Sequence, residues 1–139
     1  MSMNKFTTED LSRYNILIVD DVPLNLILVQ KMLSMFNFRV RTAANGLEAM
    51  REILSEKTDL ILLDLMMPLM DGFEVITRVR EREELSDIRI VVLSALGSNE
   101  DIVRSYELGA NDFFSKPIIL EKLVNTVATQ FQLIECERN

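Results

Sequence analysis

The chain contains no histidine. That absence excludes histidine general-base chemistry, histidine-ligated catalytic zinc and a phosphohistidine relay carried within the chain itself. Cysteine is nearly absent too: Cys136, near the C-terminus, is the sole example. No disulfide framework can form, which fits a reducing compartment. Long hydrophobic runs are missing, and the N-terminus lacks the apolar segment of a signal peptide. No membrane association and a cytoplasmic location are therefore expected. Basic residues are in deficit, with 15 Lys and Arg against 22 Asp and Glu, a net charge of −7. An acidic chain without a basic stripe is poorly suited to direct nucleic-acid binding.

What is present describes one globular domain. The 139 residues are 48% hydrophobic and 27% charged, enough to bury a core. No repeat, low-complexity tract or internal linker interrupts them. Residues 1–14 read as a loose leader or a short amphipathic turn, 15–131 as the domain, and 132–139 as a tail or the start of a linker.

Strands alternate with helices from Asn15 onward. The first strand runs from Asn15 to Asp20. Pro23 opens a helix to about Phe36 whose apolar stripe is Leu24, Ile27, Leu28, Met32 and Met35. Arg39 to Ala43 alternates as a second strand. After the Asn45-Gly46 turn, Leu47, Met50, Ile53 and Leu54 form the stripe of a second helix. Asp59 to Asp64 is the third strand, and Phe73, Ile76, Val79 and Arg80 outline the third helix. Ile88 to Ser94 follows as a strand, then a polar helix from Asn99 to Leu108 capped by Gly109. Phe113 and Phe114 belong to a short fifth strand, and Ile118 to Phe131 forms the fifth helix. Five βα units with short connections imply an α/β fold, a parallel sheet covered by helices on both faces.

Three aspartates stand where apolar runs stop: Asp20 and Asp21 after Ile16-Leu17-Ile18-Val19, and Asp64 after Leu60-Ile61-Leu62-Leu63. Open α/β sheets place their ligands at the carboxyl ends of their strands. Carboxylates gathered there repel one another unless a cation or protons intervene, and hard oxygen ligands suit Mg²⁺, or Mn²⁺. Ser94 ends the fourth strand, and Lys116 follows the fifth. Singly, each has a plainer reading: Asp21 as a cap of the first helix, Ser94 as a cap of the fourth, Lys116 as a surface lysine, Phe113 as core. Met66, Met67 and Met70 read as gap-filling side chains. Five such residues meeting at one sheet edge is a different matter.

In order along the chain stand Ile16-Leu17-Ile18-Val19-Asp20-Asp21, Asp64 with Met67-Pro68 and Met70-Asp71-Gly72, Leu93-Ser94-Ala95, Gly109-Ala110 and Lys116-Pro117. This series resembles the receiver domain of two-component response regulators across roughly residues 15–131. The resemblance implies a flavodoxin-like (βα)5 three-layer sandwich with sheet order 2-1-3-4-5. It implies that Asp64 accepts a phosphoryl group from a histidine kinase or histidine phosphotransfer protein. Asp20, Asp21, Asp64 and the backbone carbonyl of Met66 would hold Mg²⁺, while Lys116 supplies a compact positive charge. Ser94 and Phe113 would form the switch, a steric one because Phe113 lacks a hydroxyl, with Phe114 turned to the opposite side of the strand. A cis Lys116-Pro117 bond is implied as well. Met66 and Leu96, two residues past Asp64 and Ser94, would flank the path of hydrolytic water and slow dephosphorylation.

The face of helix four, strand five and helix five would meet an output domain or target protein. A phosphorylation-dependent homodimer is admitted, although Ile118 stands where many dimerising receivers carry Phe. The run Val-Asp-Asp-Val-Pro-Leu-Asn-Leu resembles receivers of hybrid kinases and of cyclic-dinucleotide regulators. Two other classes compete. A dehalogenase-type phosphatase needs an acid two residues past its nucleophile, and Met66 occupies that position. A pseudo-receiver commonly lacks an acid, the acceptor or the lysine, and all are present. The expected protein is thus a switch that catalyses only its own phosphorylation and dephosphorylation.

Overall fold

A computed structural model describes residues 11–95 and 97–138. The elements are β1 (Asn15–Val19), α1 (Pro23–Leu33), β2 (Arg39–Ala43), α2 (Gly46–Ser55), β3 (Leu60–Leu63), α3 (Gly72–Arg80), β4 (Arg89–Ser94), α4 (Asn99–Leu108), β5 (Asp112–Ser115) and α5 (Leu120–Arg138), with one 3-10 turn at Glu83–Leu85. All strands are parallel, in the order β2-β1-β3-β4-β5. The expected flavodoxin-like fold is the one observed. Among the described residues no helix is long and apolar enough to cross a membrane.

β1, β3 and β4 are buried on both faces, as sheets covered on both sides require. Side-chain alternation divides the core in two. Leu17, Val19, Ile61, Leu63, Ile90 and Val92 face α2 and α3. Ile16, Ile18, Leu60, Leu62, Val91 and Leu93 face α1 and α5. Phe113 joins the first side and Phe114 the second, as alternation demands.

Three expectations need correction. The stripe expected on α1 is largely exposed: Leu24, Ile27, Leu28 and Met35 face outward, while Val29 and Leu33 are buried and Leu26, Met32 and Phe36 pack beside them. The helix is apolar around most of its circumference, so periodicity could not choose the inner face. On α2, Leu47 and Leu54 are exposed and Ala49 takes the inward position beside Met50 and Ile53.

The third correction joins the two ends of the chain. α5 continues past Phe131 to Arg138 instead of ending at 131. The turn before β1 is packed against it, with Leu11 and Tyr14 buried, which matches the alternative of a short amphipathic turn at residues 11–14. The Tyr14 ring stacks on Phe131 with centroids 4.1 Å apart, and its hydroxyl donates to Glu135. The remaining leader, residues 1–10, lies outside the described residues.

Candidate functional site

The acids converge because the strands do. Asp20 and Asp64 each follow the last residue of an adjacent strand, β1 and β3, whose ends pair Val19 with Leu63. Backbone bonds continue one step beyond that pairing: the N–H of Asp64 donates to Val19 O at 2.9 Å and that of Asp20 to Ala43 O at 3.1 Å. One carboxylate oxygen from each of Asp20, Asp21 and Asp64 lies within 4.8 Å of the others. Asp20 and Asp64 are buried and Asp21 is exposed, so the cluster opens to solvent on one side.

The β3–α3 loop shows one close approach and one unusual backbone. Gly72, the first residue of α3, donates its N–H to Leu65 O at 2.9 Å. A Cβ there would fall 2.4 Å from the backbone oxygen of Asp64, so only glycine fits. Leu69, in the same β3–α3 loop, adopts a left-handed backbone with φ of 71°, a sparsely populated region for a side chain of its size.

Lys116 is the cation of the site. Its Nζ lies 2.8 Å from Asp20 Oδ2 and 3.8 Å from Asp64 Oδ1, so it is paired with Asp20. Its backbone N–H donates to Ser94 O at 2.8 Å, which ties it to the end of β4. The Lys116–Pro117 bond is cis, as the resemblance implies. Burial pushes the Asp64 carboxyl up to about 6; the Lys116 ammonium lowers it, the Asp20 charge raises it, and the N–H groups of Leu65 and Met66 lower it.

Ser94 is fully buried at the end of β4, beside β5. Phe113 pairs in register with Val92, two residues earlier and hence on the same face as Ser94. Neither Asp21 nor Ser94 caps a helix. The N-cap of α1 is Val22, which has no side-chain bond, and that of α4 is Ser98. Met66 is exposed in the loop after Asp64; Leu96 lies outside the described residues. The sequence reading missed Asn25. Its side-chain amide donates to Asp20 Oδ2 at 3.1 Å, from the first turn of α1.

The donor set fits a small hard cation. Three carboxylates, two of them buried, supply oxygen ligands only, and one open side leaves room for the waters that Mg²⁺ retains. Carboxylates, a lysine and a hydroxyl thus meet at the carboxyl edge of a 2-1-3-4-5 sheet, the arrangement expected of a receiver-type signalling domain. Comparison with known proteins agrees. The model of the response regulator receiver domain matches residues 16–128, and the chain belongs to that family.

Among its relatives, the DNA-binding dual master transcriptional regulator RpaA of Synechocystis sp. is 38% identical over 112 residues, 81% of this chain and 46% of that protein. The response regulator PleD of Caulobacter vibrioides is 38% identical over 103 residues, 74% of this chain and 23% of that protein. The chain spans about half the length, or less, of the curated relatives it matches. Among solved structures, the CheY-like response regulator receiver domain protein of Methanospirillum hungatei superposes with a TM-score of 0.83 at 26% identity, over 89% of this chain and 98% of that one. The signal receiver domain of a histidine kinase from Syntrophus aciditrophicus gives 0.79 at 32% identity, over 86% and 90%.

Proposed function

We propose that Asp64 is the phosphoacceptor of this receiver domain. A phosphohistidine on a partner kinase or phosphotransfer protein is the donor. A carboxylate oxygen of Asp64 forms the new P–O bond as the P–N bond breaks; the electron pair returns to the imidazole nitrogen. Because the acceptor is a carboxylate, the product is an acyl phosphate, which water cleaves again. The observation that carries this reading is the placement of Asp64 between two carboxylates within 4.8 Å and an ammonium 3.8 Å away.

Asp20, Asp21, Asp64 and the Met66 carbonyl would hold Mg²⁺, whose charge offsets that spread over the phosphoryl oxygens in the transition state. Lys116 supplies the second positive charge, leaving Asp20 for the phosphoryl group. The N–H groups of Leu65 and Met66, already directed at Asp64, orient the attacking carboxylate. Ser94 then donates its hydroxyl to the phosphoryl group and makes room for Phe113, altering the surface of α4, β5 and α5. That surface addresses an output domain or target protein, or a second copy of the chain. The matched region is 46% of the DNA-binding relative, and no direct nucleic-acid contact is invoked for this acidic domain.

Incubation with acetyl phosphate and Mg²⁺ tests the assignment. Intact-mass measurement is expected to show one added phosphoryl unit, mapped to Asp64 and lost in Asp64→Asn. No gain, or a gain mapped to another residue, would overturn the assignment and favour a domain that only binds partners.

A further inference from the structure

Asp20 is 5% exposed, so protein groups must take the place of water around its carboxylate. Oδ1 accepts the Val22 N–H at 2.9 Å. Oδ2 accepts two donors, the Lys116 ammonium at 2.8 Å and the Asn25 amide at 3.1 Å. The reading of Asp64 as acceptor requires that Lys116 move from Asp20 to the phosphoryl group. That movement removes the stronger hydrogen-bond donor from Oδ2 of a buried carboxylate, which beside a bound cation still needs a donor to fix its orientation. Asn25 is the donor that stays.

We propose that Asn25 is a positioning residue of the phosphorylation site: its amide holds Asp20 Oδ2 while Lys116 leaves for the phosphoryl group on Asp64. The inference rests on the acceptor reading above. An amide suits the task because it donates without charge, so it competes neither with the cation nor with Lys116 for a phosphoryl oxygen. It stands two residues after Pro23, the first residue of α1. Proline there sets φ for the opening turn, and residue 25 lies within that turn, close to the carboxylate five residues earlier.

The test uses the whole chain, with Asn25→Ala and Asn25→Gln. Mg²⁺ affinity is measured by calorimetry without phosphodonor. The rate of Asp64 labelling by acetyl phosphate is measured at saturating Mg²⁺, and thermal unfolding by circular dichroism reports the fold. Losing a hydrogen bond to a buried charge predicts a labelling rate lower by about tenfold or more in Asn25→Ala. Mg²⁺ affinity should change by less than about threefold, and Asn25→Gln, which keeps the amide, should recover part of the rate. A labelling rate within about twofold of the parent overturns the inference. So does a loss of Mg²⁺ affinity as large as the loss of rate, since Asn25 would then serve metal binding rather than the release of Lys116. Should Asn25→Ala fail to fold, a folded Asn25→Gln with no labelling advantage over Asn25→Leu, an uncharged side chain of similar branching without the donor, overturns it equally. A parent chain that is never labelled on Asp64 sinks the acceptor reading; a labelled parent matched by Asn25→Ala sinks only the role of Asn25.

Discussion

Replacing Asp64 with asparagine is expected to stabilise the metal-free protein, by an amount that pH controls. Burial is the largest influence on this carboxyl and, with the Asp20 charge, outweighs Lys116, raising it from 3.8 to about 6. The folded state therefore binds this proton more tightly than the unfolded chain. The resulting destabilisation is absent below about pH 4, grows as pH rises between about 4 and 6, and is complete above. A shift of roughly two pH units corresponds to about 3 kcal/mol at most. The asparagine side chain would keep the shape of the protonated acid and carry no charge at any pH.

Thermal unfolding by circular dichroism in chelator, at about pH 4 and about pH 8, reads the difference. Parent and Asp64→Asn should unfold together at the lower pH. At the higher one the variant should gain about 10 °C, the equivalent of ~3 kcal/mol for a domain of this size. Mg²⁺ should narrow that gap by stabilising the parent, since a ligand that binds only the folded state raises its melting point. If the gap is absent at high pH, or equal at both, the electrostatic account of the pocket is wrong.

Gly72→Ala places a methyl against the backbone of Asp64 and Leu65, which cannot step aside; a loss of about 1–3 kcal/mol in urea unfolding and a slowed labelling of Asp64 are expected. Tyr14→Phe keeps the ring on Phe131 but removes the bond to Glu135 and should cost about 1 kcal/mol, whereas Tyr14→Ala should cost about 3–5 kcal/mol; equal losses would show that the stacking contributes nothing. Met66 is 60% exposed, so Met66→Asn should leave the melting point unchanged while shortening the lifetime of phospho-Asp64; a lifetime unchanged or longer refutes the water-exclusion reading.

The sheet was legible because its central strands are buried on both faces and so read as short unbroken apolar runs. Leu60-Ile61-Leu62-Leu63 admits little else between Asp59 and Asp64. The inner face of α1 was not legible, since Leu24, Ile27 and Leu28 are as apolar as the Leu26, Val29 and Leu33 that face the core. What selects the inner set is packing against β1 and α5, a tertiary property. The docking site of the Leu11–Tyr14 turn, an amphipathic turn being one of the two readings for residues 1–14, was not legible for a related reason. Its partners, Phe131, Ile134 and Glu135, lie at the far end of the chain, and four residues carry no period of their own. Within the site, Asp20, Asp21, Asp64 and Lys116 were visible as polar residues at strand ends. Asn25 was not, because an asparagine between leucines in an opening helical turn reads as a solvent-facing residue until the carboxylate behind it is seen.

Charge explains why these groups form a switch rather than a fixed ion cluster. Three carboxylates and one ammonium leave two formal negative charges in a partly buried pocket. A bound divalent cation would cancel them and leave the loaded site balanced. Converting one carboxylate to its phosphoryl adduct raises that member's charge to about −2 and restores an imbalance that a second cation must answer. Lys116 is the cation in reach, 3.8 Å from Asp64, yet it begins bound to Asp20. Its transfer would couple chemistry at β3 to the ends of β4 and β5, because its own backbone is hydrogen-bonded to Ser94 O. On the proposed reading the signal would depend on how readily Asp20 lets the lysine go, and the neutral amide of Asn25, bonded to the same oxygen, would ease that release.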